Sequence, residues 1–171
     1  LHNHEVRLAR SLSERLSLGV IEDLSRQIVK LAPDLIVHTV GMTNVDEYEK
    51  SVKHASHVNA SISENVAIVA KALKIPLIHI STDQLFRGDR SFYAESDPIQ
   101  PINVYGATKA LAETKLLQLN PEALIVRTNF FGWGNSQRQS FSDWLIYNLR
   151  EGKCLDLFED VYFTPILADT L

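Results

Sequence analysis

Pro76-Leu77-Ile78-His79-Ile80-Ser81-Thr82-Asp83 runs from a proline through an apolar, β-branched stretch to two hydroxyls and a carboxylate. A short run of this kind reads as a strand that delivers polar groups at its carboxyl end. Leu35-Ile36-Val37-His38-Thr39-Val40, bounded by Pro33 and Gly41, has the same character. It predicts a strand buried on both faces of a parallel sheet. Ala123-Leu124-Ile125-Val126-Arg127-Thr128 predicts another buried strand.

Helical patterns separate these strands. From about Val52 to Leu73, the apolar positions Val58, Ile62, Val66, Val69, Ala70 and Leu73 recur at spacings of three and four. Residues 104–119 predict a second helix, ended by Asn120-Pro121. Upstream, Asp23 or Ser25 is placed to cap a helix whose apolar face is Leu24, Ile28, Val29 and Leu31-Ala32, with Pro33-Asp34 ending it. Leu18-Gly19-Val20-Ile21 reads as a short strand, residues 130–138 as a loop, 139–150 as an amphipathic helix and 154–158 as a last strand. Helix alternating with strand implies right-handed parallel βαβ units, hence a doubly wound α/β sheet in a single domain over residues 1–171. Such sheets bind ligands outside the carboxyl ends of their strands. Gly41, Ser81-Thr82 and Thr128 all fall at such ends, and the long connection Asp83 to Asn103 has the length of a functional loop.

Composition narrows the function classes. The 171 residues are 45% hydrophobic and 22% charged, an ordinary globular mix, with a net charge of −4. That charge offers no attraction for nucleic acid or an anionic membrane surface. No apolar run approaches a membrane span, and Leu1-His2-Asn3-His4-Glu5 is not a secretory signal. One cysteine, Cys154, excludes an internal disulfide and fits a reducing compartment, so a cytoplasmic location is expected. The chain opens on Leu1 rather than Met and stops at Ala168-Asp169-Thr170-Leu171, which leads us to expect a piece of a longer protein.

The chemistry concentrates in Val104-Tyr105-Gly106-Ala107-Thr108-Lys109. On a helix, Tyr105 and Lys109 stand four apart and share a face. An ammonium beside a phenol favours ionisation of the phenol and makes it a better proton shuttle. Thr82 at a strand end supplies a hydroxyl to hold a carbonyl oxygen. The ordinary alternatives are an aromatic at a helix start and a solvated lysine. His54 with His57, and His2 with His4, have metal-compatible spacing, but no carboxylate or cysteine completes a site and no metal is expected. His38 and His79 read as satisfied core residues, and Glu95-Ser96-Asp97 as a turn.

Taken together, Thr43-Asn44-Val45-Asp46, Asn59, Ser81-Thr82-Asp83, Pro101 to Lys109, Glu113 and Arg127-Thr128 resemble the extended short-chain dehydrogenase/reductase superfamily. Within it the chain is similar to the dTDP-4-dehydrorhamnose (sugar-nucleotide) reductases over roughly residues 20–171. The resemblance implies a Rossmann-like fold and NAD(P)H-dependent reduction of the 4-keto group of a nucleotide-activated 6-deoxysugar, feeding polysaccharide synthesis. It implies NADP or NAD as cofactor and a nucleotide sugar as substrate, while a homodimer remains possible. By the same resemblance Tyr105 donates a proton to the forming alkoxide, Lys109 binds the nicotinamide ribose, and Thr82 holds the substrate oxygen. Cofactor contacts extend to Val40, Gly41, Thr43, Asn59 and Ser81. Asp23-Leu24 falls where the superfamily places a pair beside adenine, with simple helix capping as the alternative. Asn59 resembles an asparagine that kinks its helix, or is an exposed polar residue. Val45, Asp46, Thr82, Asp83, Arg127, Asn129 and Trp133 fall on the substrate side, residues 130–171 lead into the substrate-binding portion, and Asp160 to Pro165 returns towards the site.

The chain departs from the family in lacking the Gly-x-x-Gly-x-x-Gly turn and the second-strand residue that separates NAD from NADP. The first βα unit and most of the carboxyl-terminal portion are therefore expected outside this sequence. A rival within the fold is a nucleotide-sugar epimerase or dehydratase. Dehydratases carry Thr-Asp-Glu, whereas Gln84 follows Thr82-Asp83 here, and an amide cannot serve as acid or base. A second rival is a non-catalytic subunit resembling the regulatory subunit of methionine adenosyltransferase.

Overall fold

The computed structural model describes residues 18–41, 56–134, 139–161 and 163–171. Thr43, Val45 and Asp46, with His2, His4 and His54, lie outside them. Three parallel strands form the central sheet in the order β1 (Ile36–His38), β2 (Leu77–Ser81), β3 (Leu124–Arg127). His38 stands opposite His79, which stands opposite Ile125. Helix α1 (Ile21–Leu31) precedes β1, α2 (Ile62–Leu73) precedes β2, and α3 (Val104–Leu119) precedes β3. A second, two-residue parallel pairing joins β4 (Phe130–Phe131) to β5 (Ile166–Leu167), with α4 (Phe141–Arg150) between them. No helix among the described residues is long and apolar enough to cross a membrane.

All three helices before β3 pack on one face. Leu24 of α1, Ile62, Val66, Ala67, Val69 and Ala70 of α2, Leu77 of β2 and Leu116 of α3 form the buried cluster. The other face of the sheet is open among the described residues: Val37 and Leu124 are 52% and 56% exposed, aligned across Ile78. Burial of these strands on both faces is thus not what the described residues show, because α1, α2 and α3 all cover the same side. The sequence pattern reports what a strand tolerates, not which helices reach it.

Other boundaries differ for local reasons. Leu18-Gly19 is a turn leading into α1, whose first residue is Ile21, and the stretch is not a strand. Neither Asp23 nor Ser25 caps α1, which begins one turn earlier with Val20 at the N-cap; Asp23 sits in the first turn, where its charge complements the helix dipole. Residues 154–158 form no strand. Phe130–Phe131, expected in a loop, finds a partner 36 residues on that no local pattern announces. The helix before β2 opens with a π turn, His57–Ser61, in which Asn59 is buried. π turns place one residue more per turn and often mark functional positions.

Helix α3 is fixed at its start by two devices. Asn103 is the N-cap, its Oδ1 accepting from Gly106 N at 2.7 Å. Gly106 itself lies against the turn after β2: a Cβ there would stand 2.3 Å from Gln84 O and 2.9 Å from Pro101 Cβ. Beneath this helix the core is polar: His38, Asn59, Ser63, His79, Lys109 and Glu113 are all buried.

Gly106→Ala is expected to cost at least about 2 kcal/mol in urea unfolding, because backbone must move to admit the methyl group. Burial, with the Lys109 charge, lowers His38 to about 4 and His79 to about 2, from 6.5. Above pH 6.5 both folded and unfolded states carry neutral rings, and stability is intact. Below it the unfolded chain takes up protons that the folded protein refuses. Stability therefore falls by up to about 2.7 kcal/mol per pH unit until His38 titrates near 4. Unfolding free energies between pH 7 and 4 check this, and a stability flat over that window would contradict it.

Candidate active site

The carboxyl ends of the three strands open into a cavity of about 300 Å³. Ser81 and Thr82 leave β2 into it, Tyr105 and Lys109 reach it from the first turns of α3, and Thr128 and Asn129 follow β3. Thr39 and Gly41 close the β1 side. The expected edge of the sheet is where the cavity lies, and the topology brings Thr82, Tyr105 and Lys109 to it from two separate elements.

Thr82 caps a short 3-10 turn, Asp83–Leu85, its Oγ1 accepting from Gln84 N at 3.2 Å and donating to Asp83 Oδ1 at 3.3 Å. Its side chain also hydrogen-bonds Tyr105. Asp83 Oδ2 accepts from Asn129 Nδ2 at 3.3 Å, tying the turn after β2 to the segment after β3. Gln84 lines the cavity with its Oε1 held by Asn103 Nδ2 at 2.9 Å. The amide at this position is therefore locked onto the cap of α3.

Lys109 is 4% exposed. Its Nζ donates to Ile80 O at 2.7 Å and lies 3.3 Å from His79 Nε2. Burial lowers its pKa to about 8, opposed by the charge of Glu113. The Tyr105 phenol is pushed above its ordinary value, first by burial and then by the charge of Asp83, while the Thr82 hydrogen bond works the other way. The expected direction was the reverse. A lysine sharing the helix face does not by itself acidify a phenol that the same packing desolvates.

The remaining candidate residues divide. Asn59 lies below the cavity, its Nδ2 donating to Thr108 Oγ1 at 3.0 Å, while Thr108 Oγ1 donates to Tyr105 O at 2.9 Å. It is buried, not an exposed polar residue, and its Oδ1 would be 3.3 Å from a Cβ on Gly41. Val40 packs on the core, and Leu24 is part of it, whereas Asp23 pairs with Arg26 on the surface of α1. Arg127 does not line the cavity: its guanidinium makes a bidentate pair with the buried Glu113, Nη2 donating to Oε2 at 2.8 Å and Nε to Oε1 at 3.2 Å, and its Nη1 donates to Glu95 O at 3.1 Å. Trp133 lines a separate apolar hollow with Phe131, Phe141 and Phe163, beside Pro165 on the returning segment. Thr39 and Phe130 belong to the cavity and were not singled out from sequence; Thr39 was signalled only by its place at the end of a strand.

The chain is similar to known proteins in both sequence and fold. A probable low-salt glycan biosynthesis reductase of Haloferax volcanii is 35% identical over 139 residues, covering 79% of this chain and 46% of that protein. The dTDP-4-dehydrorhamnose reductase of Salmonella typhimurium is 32% identical over 151 residues, covering 86% and 49%. Among solved structures, a hypothetical dTDP-4-dehydrorhamnose reductase from Sulfolobus tokodaii superposes with a TM-score of 0.78 at 32% identity, covering 94% of this chain and 62% of that one. A dTDP-4-dehydrorhamnose reductase from Bacillus anthracis, solved in complex with NADP, gives 0.74 at 31% identity, covering 81% and 49%. The chain thus spans about half the length of the curated relatives it matches. A family model described as the RmlD substrate binding domain matches residues 2–171, and the chain belongs to that family.

Proposed function

We propose that the protein to which this chain belongs reduces the 4-keto group of a nucleotide-activated 6-deoxysugar, using NADPH or NADH. The observation that carries the reading is the meeting of Thr82, Tyr105 and Lys109 at one cavity on the carboxyl edge of a parallel sheet. The names of the relatives and the NADP in the Bacillus anthracis structure support it. The lining fits a nicotinamide nucleotide: Lys109 presents an ammonium to the cavity, and Thr39, Ser81 and Thr82 bring hydroxyls to it. Lys109 would hold the ribose hydroxyls, with Thr39, Gly41 and Ser81 alongside.

The cofactor, when bound, supplies the hydride. Thr82 holds the carbonyl oxygen by a hydrogen bond and so orients the ketone. Tyr105 gives its phenolic proton to that oxygen as negative charge develops on it. Burial keeps Tyr105 protonated at neutral pH, the form a donor must have. The Lys109 ammonium, still charged below about pH 8, lines the same cavity as the phenolate that is left. Asp83 and Asn129 hold the turn that carries Thr82 and border the substrate side. Gln84 has no proton to give or take, which disfavours water loss at this site. We place the reaction in the cytoplasm, in keeping with the lone exposed Cys154.

Full-length protein with NADPH and a dTDP-4-keto-6-deoxy sugar is expected to oxidise the cofactor. Cofactor binding without turnover on any keto sugar would refute the enzyme reading and favour a binding subunit. Tyr105→Phe is expected to lower kcat by at least about 100-fold with NADPH affinity within a few-fold of the parent. A collapse of affinity would show Tyr105 to be structural.

A further inference from the structure

Two neutral rings lie beneath the ammonium of Lys109. His79 is 0% exposed, its Nε2 is 3.3 Å from Lys109 Nζ, and its Nδ1 has no hydrogen-bond partner among the described residues. An ammonium has only protons to offer. Nε2 must therefore be the lone-pair nitrogen, and Nδ1 carries the ring proton into a site that does not receive it. A buried donor left unmatched costs stability, and in a folded protein it calls for a reason. The ring of His38 packs 5.1 Å away, its Nε2 3.0 Å from Ser63 Oγ, which donates to Asn59 O at 2.6 Å.

We propose that His79 is a positioning residue, a neutral acceptor whose Nε2 lone pair keeps Lys109 charged and turned to the cavity, with His38 packed behind it. The proposal rests on the reading of Lys109 as a group that works beside bound cofactor. The surroundings define what His79 adds. From α3, Glu113 favours the ammonium through its field, its carboxylate held by Arg127 of β3. Tyr105 shares the helix face, and Asp83 acts on Tyr105 from the turn after β2. From β1, His38 contributes a ring that stays neutral above about pH 4. His79, neutral down to about pH 2, cannot pass a proton on as an imidazolium near neutrality. Its part is orientation and not relay. With Ile80 O as the other acceptor, two of the three ammonium protons are directed into the fold, which leaves the third for the cavity that Lys109 lines.

The test is a side-chain NMR titration of Lys109 in the full-length protein, with the signal assigned by its loss in Lys109→Met. The parent midpoint is expected near 8. His79→Leu keeps the burial but removes the acceptor for the charged form, so the midpoint falls by about one pH unit. His79→Gln returns an acceptor oxygen and brings the midpoint back to within about 0.3 units of the parent. His79→Met takes the place of the leucine variant if that one does not fold. A midpoint unmoved in a folded leucine or methionine variant overturns the proposal, as does a glutamine variant that falls as far as leucine. Turnover is a separate readout: the alkaline limb of kcat should move with the NMR midpoint. If the parent reduces no keto sugar, the functional reading fails while the NMR midpoints still decide the role of His79.

Discussion

The site depends on one buried contact, the Lys109 ammonium against the carbonyl of Ile80. Moving an ammonium out of water is expensive unless it is paired and hydrogen-bonded. Here the partners belong to β2, so the cost is offset only when α3 lies in one position along that strand. The bond thus fixes how far along the sheet the helix sits. Tyr105 and Lys109 stand one turn apart on α3, and Thr82 follows Ser81 at the end of β2. Register between helix and strand is what places phenol, hydroxyl and ammonium around the same 300 Å³. The Asn103 cap and the close approach of Gly106 to Gln84 O enforce that register from the amino end of the helix.

Glu113 and Arg127 enforce it from further along. Glu113 is one turn beyond Lys109 and 2% exposed; the bidentate bond to Arg127 ties α3 to β3 as Lys109 ties it to β2. Arg127 reaches past this pair to the long connection, donating to Glu95 O and lying 5.4 Å over the Phe86 ring. Phe86 stacks on Tyr93, and Arg90 covers the other ring at 4.4 Å. Arg127, kept in place by the buried Glu113, is thus one of the groups that hold the connection beside the sheet. This accounts for an arginine at the end of a strand that does not face the cavity: it organises the segment beside the site.

Much of this was legible in the sequence where the signal is local. The helix 104–119 has the bounds that its pattern and Asn120-Pro121 indicate, and all three central strands fall within the predicted runs. The edge of the sheet carrying the site followed from Gly41, Ser81-Thr82 and Thr128 without reference to any side-chain contact. What was not legible is non-local. The pairing of Phe130–Phe131 with Ile166–Leu167 joins two short segments separated by a whole helix. That one face of the sheet is open among the described residues depends on where three helices lie. Val40 and Leu24 read as cofactor contacts by position, yet their side chains are spent on the core. The role of Arg127 could not be read from strand alternation, because its partner, Glu113, comes from a helix 14 residues earlier.

The same packing decides how the two ionisable groups divide their work. Burial acts in opposite senses on a phenol and an ammonium, since each is driven towards its neutral form. It raises Tyr105 above 10 and lowers Lys109 to about 8. The group that changes charge first as pH rises is consequently the lysine. Tyr105 is a phenol throughout the range in which Lys109 is an ammonium, so below about pH 8 the cavity holds a neutral phenol and a cation together. That ordering is the one the proposed proton donation requires, because a donor must start protonated. It is set by the depth of the helix in the sheet, and therefore by the contact between Lys109 and Ile80.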